Sequence, residues 1–264
     1  MKTDFFREPP IPKCQLVNDL KVMGVGKDQT LMVHSSLSAI GWVLGGAATV
    51  VDALIEVIGE DSTLVMPAAT PFCGDPTAWP GVEIPEDHLP AVRDHLPVFD
   101  PRTTPTTMGA IPETFRNWPG TFRSHHPLES ICAHGPAALE ITRFHPLAYS
   151  EGPDGPFGRL DDLDAQILLL GVGFNRCTAL HFAETLATSR REQSARFPSL
   201  VDGIRTWHEV PNVADDNDTH FPVIGEQFVA AHYTRAGTIG RARTTLFSMR
   251  ELTEFAIRYF ENNL

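Results

Sequence analysis

Apolar residues occur in short runs that are separated by segments with helical spacing. Residues 31–34 make an apolar run that ends at His34, and a loop rich in hydroxyl groups and glycines follows. Residues 47–59 then have the pattern of a helix, and 63–66 form a second apolar run. This order predicts a β-loop-α-β unit. Its loop exposes backbone N–H groups at the start of a helix, which predicts a seat for a phosphate-bearing cofactor.

This loop does not match the common nucleotide-binding signatures. It lacks the Lys-Ser/Thr ending of a P-loop and the three-glycine spacing of a dinucleotide fold. ATP and NAD are therefore poor candidates for the cofactor. Gly41, Gly45 and Gly46 could also serve only to allow tight turns, so the loop alone does not decide between a cofactor seat and a structural connection.

The rest of the chain continues the alternation of strands and helices. The clearest buried strand is 166–170, an uninterrupted apolar run typical of a strand covered on both faces. The shorter predicted elements are helices over 14–23, 108–118, 136–145, 179–188 and 249–260, and strands over 130–133 and 204–210. At this length we expect one compact α/β domain that spans 1–264.

Residues 68–105 interrupt this pattern. The segment holds eight prolines and several acidic side chains, namely Asp75, Glu83, Glu86, Asp87, Asp94 and Asp100. It is too long to be an idle connection in a compact domain. We therefore predict that 68–105 forms a flap or wall on the substrate side of the site.

Composition and charge narrow the classes of partner. The 264 residues have a net charge of −12, which disfavours nucleic acid and anionic membranes and suits a cationic substrate. The four cysteines show no C-x-x-C spacing, so neither a zinc knuckle nor a disulfide framework is predicted. The start of the chain is charged and proline-rich, unlike a signal peptide, and no apolar run approaches the ~18 residues of a membrane span. We expect a cytoplasmic protein.

His181 and Glu184 are the most promising pair for chemistry. They lie three residues apart on a predicted helix that follows the strand 166–170, and open α/β sheets place their sites at such strand ends. A nearby carboxylate raises the basicity of a histidine and fixes its ring, as a general base requires. A core histidine beside a solvated glutamate, or two ligands of a metal site, would give the same spacing, although the latter lacks a third ligand.

Four blocks of the chain together carry a more specific signal than any of them alone. They read HSSLSAIGWVLGG at 34–46, FDPRTTPTTMG at 99–109, RSHHP at 123–127 with Ser130, and GVGFNRCTALHFAE at 171–184. In this order they resemble the aminoglycoside 3-N-acetyltransferase family. The resemblance implies an α/β fold with a central mixed sheet flanked by helices. It also implies an enzyme that moves an acetyl group from acetyl-coenzyme A to the 3-amino group of an aminoglycoside antibiotic and so confers resistance.

The resemblance further implies roles for individual residues. It makes His181 the catalytic base, with Glu184 as its acidic neighbour, and it gives Cys177 no role as a nucleophile. We therefore predict direct transfer in a ternary complex, with the Thr178 hydroxyl or backbone N–H groups as candidate donors to the oxyanion. The expected contacts of coenzyme A are Ser35, Ser36, Leu37, Val43, Gly45, Gly46, Thr106, Thr107 and Met108.

Acidic residues are the expected partners of a small cationic aminoglycoside. A cleft lined with carboxylates would attract several ammonium groups and hold one amine near the base. The candidates are Asp75 in the flap and, beyond the fourth block, Asp215, Asp216, Asp218 and Glu226. Each of them could instead be a solvated loop charge that keeps the protein in solution.

Other functions remain open at this stage. Acetyl transfer to a different small amine is the nearest alternative, because family membership fixes the donor better than the acceptor. A non-catalytic binding module could retain the coenzyme seat or an acidic sugar-binding cleft, but it would not need His181 beside Glu184. A metal-dependent hydrolase needs a clustered ligand set that the 11 histidines do not supply, so no metal is predicted. A homodimer is left open.

Overall fold

Nine strands form two sheets in the computed structural model, which describes residues 8–214, 217–231 and 234–264. The strands are β1 (Thr30–Ser35), β2 (Thr63–Pro67), β3 (Phe122–Arg123), β4 (Ile131–His134), β5 (Gln166–Leu170), β6 (Glu192–Val201), β7 (Ile204–Val213), β8 (Arg235–Ile239) and β9 (Ala242–Ser248). Seven of them make a mixed sheet in the order β3-β4-β2-β1-β5-β9-β8, and β6 pairs with β7 in a separate antiparallel ribbon. In the large sheet, β1 runs parallel to β2 and β5, and the outer pairs are antiparallel.

Helices cover both faces of the large sheet. They are α1 (Lys13–Met23), α2 (Leu37–Ile40), α3 (Gly46–Ile58), α4 (Leu89–His95), α5 (Ala110–Arg116), α6 (Ala138–Thr142), α7 (Pro156–Asp162), α8 (Ala179–Leu186), α9 (Phe221–Ala231) and α10 (Met249–Asn263). Because side chains alternate along a strand, Leu31 and Val33 pack against α1, α3 and α5 on one face. Met32 packs on the other face with α6 to α10. The predicted mixed α/β sheet flanked by helices is confirmed.

Most predicted elements are confirmed, with shifted ends. The strand 166–170 is β5, and the β-loop-α-β unit is β1, α3 and β2. The helix predicted over 136–145 ends as α6 at Thr142, and it could not have included His145, because a residue before proline disfavours helical geometry. The strands β3, β6, β8 and β9 and the helices α2, α4 and α9 were not predicted.

The ends of the central strands bring the sequence blocks together. The carboxyl ends of β1, β2 and β5 share one edge of the sheet, because these strands are parallel. The amino end of β4 lies at the same edge, since Ile131 is the register partner of Pro67. This edge therefore gathers the loop after Ser35, the start of the flap, the turn before Ile131 and the segment that leads to α8.

Gly171 allows the first loop to pack on the end of β5. Its φ is +73°, and a Cβ there would lie 2.5 Å from the Cβ of Ala39 and 3.0 Å from the Cβ of Ala242. An L side chain would therefore be both strained and in collision at this point. Within the described ranges no helix is long and apolar enough to span a membrane.

Candidate active site

His181 and Glu184 form a hydrogen-bonded pair on α8. The Nδ1 atom of His181 lies 2.7 Å from Oε2 of Glu184, and only 14% of the His181 side chain and 3% of the Glu184 side chain are exposed. A carboxylate only accepts, so Nδ1 carries the proton and Nε2 is the ring nitrogen left for a ligand. Phe221 meets the ring edge to face, with 4.8 Å between the centroids, so the imidazole is held in one orientation.

A cavity of about 260 Å³ lies beside His181. It opens at the sheet edge described above, and its walls come from several separate parts of the chain. Ala69 and Met108 line it from the β2 side, Asn175 and Thr178 from the segment before α8, and Asn212 from the ribbon. Two further carboxylates, those of Glu129 and Glu151, also line this cavity.

The carboxylates around the cavity make His181 strongly basic. Burial acts to lower the pKa of the imidazole, but the hydrogen bond to Glu184 and the charges of Glu151 and Glu129 outweigh burial and raise the pKa to about 9. With no cation beside these carboxylates, the ring is therefore largely protonated at neutral pH. It can act as a base only after losing that proton.

Glu129 and Glu151 are site residues that sequence reasoning missed. Glu129 lies between the RSHHP motif and Ser130, so its place in the third block was a usable signal. Glu151 follows Ser150, whose hydroxyl donates to Glu151 Oε2 over 2.5 Å, and Glu151 is only 4% exposed. Nothing in the local sequence distinguishes Glu151 from the acidic residues around it.

The predicted coenzyme seat has the features of an anion-binding loop. Ser36 caps α2 by accepting the N–H of Ala39, and Gly45 and Gly46, with φ of +81° and +62°, open the 13-residue helix α3. A Cβ on Gly46 would meet nothing within 4 Å, so the space beside its backbone is open. The first turn of α3 carries no acidic residue. Hydroxyls and helix N–H groups without a carboxylate suit the phosphates of coenzyme A.

The remaining predicted coenzyme contacts differ in their placement. Thr106 donates from Oγ1 to the carbonyl of Ala69 over 2.9 Å, and Thr107 donates its backbone N–H to the same carbonyl. Met108 follows directly and lines the cavity of His181. Leu37 is the first residue of α2 and is half-buried. The Ser35 hydroxyl is enclosed and has no hydrogen-bond partner. Val43 is a core residue beside Ile11. The second block thus connects the start of the flap to the cavity.

The predicted substrate residues are not gathered in one place. Asp218 accepts from Nδ2 of Asn175, a cavity residue, over 3.1 Å. Glu226 lies on α9 and lines a separate shallow depression. Asp215 and Asp216 lie outside the described residues. Of the two later candidates that the structure describes, Asp218 is tied to the cavity and Glu226 is not.

Asp75 is occupied by arginines. Its carboxylate accepts two hydrogen bonds of 2.9 Å from Arg93, and Arg196 lies 3.4 Å away. Burial acts to raise the pKa of Asp75, but the hydrogen bonds from Arg93 and Thr77 outweigh it and hold the pKa at about 2. Asp75 does not line the cavity of His181. Its carboxylate instead joins α4 to the start of the flap.

Cys177 and Thr178 are two further polar residues that line the cavity with the base. Burial raises the pKa of the Cys177 thiol to about 12, so almost no thiolate exists at neutral pH. Thr178 is a lining residue of the cavity, and its hydroxyl is enclosed and has no hydrogen-bond partner. Among the described residues, no group of three or more His, Cys, Asp or Glu side chains could hold a metal ion.

Known proteins share the sequence and the fold of this chain. The model of the aminoglycoside 3-N-acetyltransferase family matches residues 32–261. The SPbeta prophage-derived aminoglycoside N(3')-acetyltransferase-like protein YokD of Bacillus subtilis is 38% identical over 256 residues, which cover 96% of this chain and 94% of YokD. The crystal structure of YokD matches with a TM-score of 0.93 at 37% identity, over 97% of this chain and 95% of that chain.

Two solved structures with bound ligands are also similar. The structure described as AAC-IIIb binary with CoASH has a TM-score of 0.84 and 28% identity, over 97% of this chain and 98% of that chain. The structure described as AAC-VIa bound to sisomicin has a TM-score of 0.86 and 29% identity, over 96% of this chain and 98% of that chain.

Proposed function

The chain belongs to the aminoglycoside 3-N-acetyltransferase family, and from this premise we propose that it transfers the acetyl group of acetyl-coenzyme A to the 3-amino group of an aminoglycoside. His181 acts as the general base and Glu184 orients it. One observation carries the proposal: His181, which is hydrogen-bonded to Glu184, lines a cavity whose walls include two further carboxylates, those of Glu129 and Glu151. A cationic amine and a base that can deprotonate it would meet there.

Proton removal is the main task of the protein in this reaction. A protonated amine has no lone pair with which to attack a thioester, so a base must first accept its proton. Nε2 of His181 serves this purpose because Nδ1 is engaged by Glu184. When ammonium groups of the substrate bind beside Glu129 and Glu151, they offset the charges that raise the pKa of His181. Substrate binding therefore lowers this pKa and frees Nε2 to accept a proton.

The seat at the amino end of α3 holds the co-substrate. Acetyl-coenzyme A supplies the acetyl thioester, whose thiolate is a good leaving group. Ser36, the N–H groups at the start of α3 and the Thr106–Met108 loop are the groups that bind it. During transfer, negative charge develops on the carbonyl oxygen of the thioester. The Thr178 hydroxyl, which has no hydrogen-bond partner, and backbone N–H groups near the coenzyme seat are the candidate donors to that charge.

Two carboxylates give the cavity its preference for a polycation. Glu129 and Glu151 each offer an ammonium group a charged hydrogen-bond acceptor, and Asn175 and Asn212 offer neutral ones. The similarity to structures with bound CoASH and sisomicin supports the same donor and class of acceptor here. We place the reaction in the cytoplasm, because all four cysteines are free thiols, as is typical in reducing compartments.

Thiol release from acetyl-coenzyme A tests the proposal. The purified protein is assayed with gentamicin, tobramycin, apramycin and kanamycin as acceptors, and the acetylated nitrogen of each product is located by NMR. Release that depends on an aminoglycoside and modifies the 3-amine supports the proposed function. If no thiol is released while coenzyme A still binds, the proposed acceptor is wrong, and the protein would acetylate another small amine.

A further inference from the structure

Both ring nitrogens of His126, from the RSHHP motif, have hydrogen-bond partners in the backbone. The ring is 1% exposed. Nδ1 accepts the backbone N–H groups of Leu128 over 3.2 Å and Glu129 over 2.9 Å. Nε2 lies 3.2 Å from the carbonyl oxygen of Leu147. The imidazole therefore joins the turn that contains Glu129 to the segment before Glu151.

These partners require a neutral imidazole of one tautomer. Backbone N–H groups only donate, so Nδ1 must be unprotonated, and a carbonyl only accepts, so Nε2 must carry the hydrogen. A proton on Nδ1 would face two N–H donors and break both bonds. Burial lowers the pKa of His126, which favours the same neutral form.

A second histidine repeats this arrangement beside the other cavity carboxylate. The ring of His145 lies 4.7 Å from the ring of His126. Its Nδ1 accepts the hydroxyl of Ser124 over 2.8 Å, and its Nε2 donates to the carbonyl of Ser150 over 2.9 Å. Burial lowers the pKa of His145 to about 3. Two neutral rings thus hold the backbone next to Glu129 and next to Glu151.

The turn that contains Glu129 is fixed from the flap as well. Thr70 donates from Oγ1 to the carbonyl of Pro127 over 2.6 Å, and its backbone N–H donates to the carbonyl of Leu128. The amide N–H of Glu129 is held by His126. Both ends of the turn are therefore held by hydrogen bonds, and this turn carries Glu129, whose side chain lines the cavity.

We propose that His126 is a positioning residue for acceptor recognition, because its neutral imidazole fixes the turn that presents Glu129 to an ammonium group of the substrate. The inference rests on the proposed function, since it assigns Glu129 to the cationic acceptor. It predicts that loss of the Nδ1 acceptor weakens binding of the aminoglycoside and leaves binding of acetyl-coenzyme A unchanged.

Two substitutions of His126 distinguish the hydrogen bonds made by Nδ1 from the hydrogen bond made by Nε2. His126→Asn places a side-chain oxygen where Nδ1 stood, so it can still accept the N–H groups of Leu128 and Glu129, as asparagine does in local turns. His126→Gln reaches toward Leu147 but has no acceptor close to the turn. The exposed neighbour offers a matched control, His125→Gln.

Steady-state kinetics with gentamicin distinguish these variants. We expect His126→Gln and Glu129→Gln each to raise the KM for gentamicin about tenfold or more, as loss of a hydrogen bond to a charged group does. His126→Asn restores most of that loss, and the control remains at the wild-type value. The double variant His126→Gln/Glu129→Gln is no worse than Glu129→Gln alone, because both changes remove the same interaction.

The outcomes separate the inference from the proposed function. If the wild type turns over gentamicin but His126→Gln keeps the wild-type KM, loses as much as His126→Asn, or adds its loss to that of Glu129→Gln, the inference is overturned. If the wild type does not acetylate any aminoglycoside, the proposed function fails instead. Imidazole ¹⁵N chemical shifts of the wild type give a test that needs no variant: a protonated Nδ1 on His126 would also overturn the inference.

Discussion

Replacement of Glu184 by glutamine changes the charge beside His181 and little else. The side chains have nearly the same shape, and Glu184 is buried with its Oε2 atom 2.7 Å from Nδ1 of His181. In the wild type, the hydrogen bond to Glu184 is the largest influence that raises the pKa of His181 to about 9. Once the Glu184 charge is gone, burial is opposed only by the charges of Glu151 and Glu129, and we expect the pKa to fall by about two units, toward its ordinary value near 6.5.

The pH dependence of kcat/KM reports this change. It reflects the free enzyme, and only the neutral ring of His181 is competent, so activity rises with pH through the pKa of His181. We expect this rise near pH 9 in the wild type and about two pH units lower or more in Glu184→Gln. The plateau of kcat falls by on the order of 10²- to 10⁴-fold, because the base is weaker and its ring is no longer fixed.

The assay is thiol release with one aminoglycoside, measured for both proteins from pH 5.5 to 10. The amines of the acceptor titrate identically in the two series, so a difference between the profiles belongs to the enzyme. Glu254→Gln, the same chemical change on the exposed side of α10, is the matched control. A rise that stays near pH 9 in Glu184→Gln would refute the assignment of this titration to His181.

Three further substitutions test separate parts of the account. Cys177→Ala retains turnover, because a thiol with a pKa of about 12 is not a nucleophile; intact-protein mass spectrometry that detects an acetyl-enzyme on Cys177 would contradict direct transfer. Gly171→Ala lowers the free energy of unfolding in urea by about 1–3 kcal/mol, because its Cβ would lie 2.5 Å from the Cβ of Ala39; an unchanged midpoint would show that the loop after β1 packs differently. Arg123→Lys also destabilises the fold by about 1–3 kcal/mol, since Arg123 donates to Ser130, to the Ala68 carbonyl and to two further carbonyls of the second block; equal melting temperatures would contradict this.

Local patterns were sufficient for the elements that build the centre of the molecule. The apolar run of β5 is buried on both faces, so periodicity and burial agreed. The edge strand β8 has four exposed residues, and no apolar pattern distinguishes it from a loop. The ribbon of β6 and β7 likewise has few buried positions, so its pairing depends on contacts that the sequence alone does not display.

The sequence predicted the parts of the site whose residues lie close together along the chain. His181 and Glu184 are three apart on one helix, and their geometry follows from that spacing. Glu151 is brought to the same cavity from a different loop, which only the tertiary fold decides. Asp75 looked like a free flap carboxylate in the sequence, and its ion pair with Arg93 depends on where α4 packs.

Turnover by His181→Ala tests the central claim most directly. The wild type and the variant are assayed for aminoglycoside-dependent thiol release, and binding of coenzyme A to each is measured by calorimetry. The account predicts that the variant loses at least about 100-fold in kcat while its affinity for coenzyme A stays at the wild-type value. Near-normal turnover in the variant would contradict the assignment of His181 as the base that activates the acceptor amine.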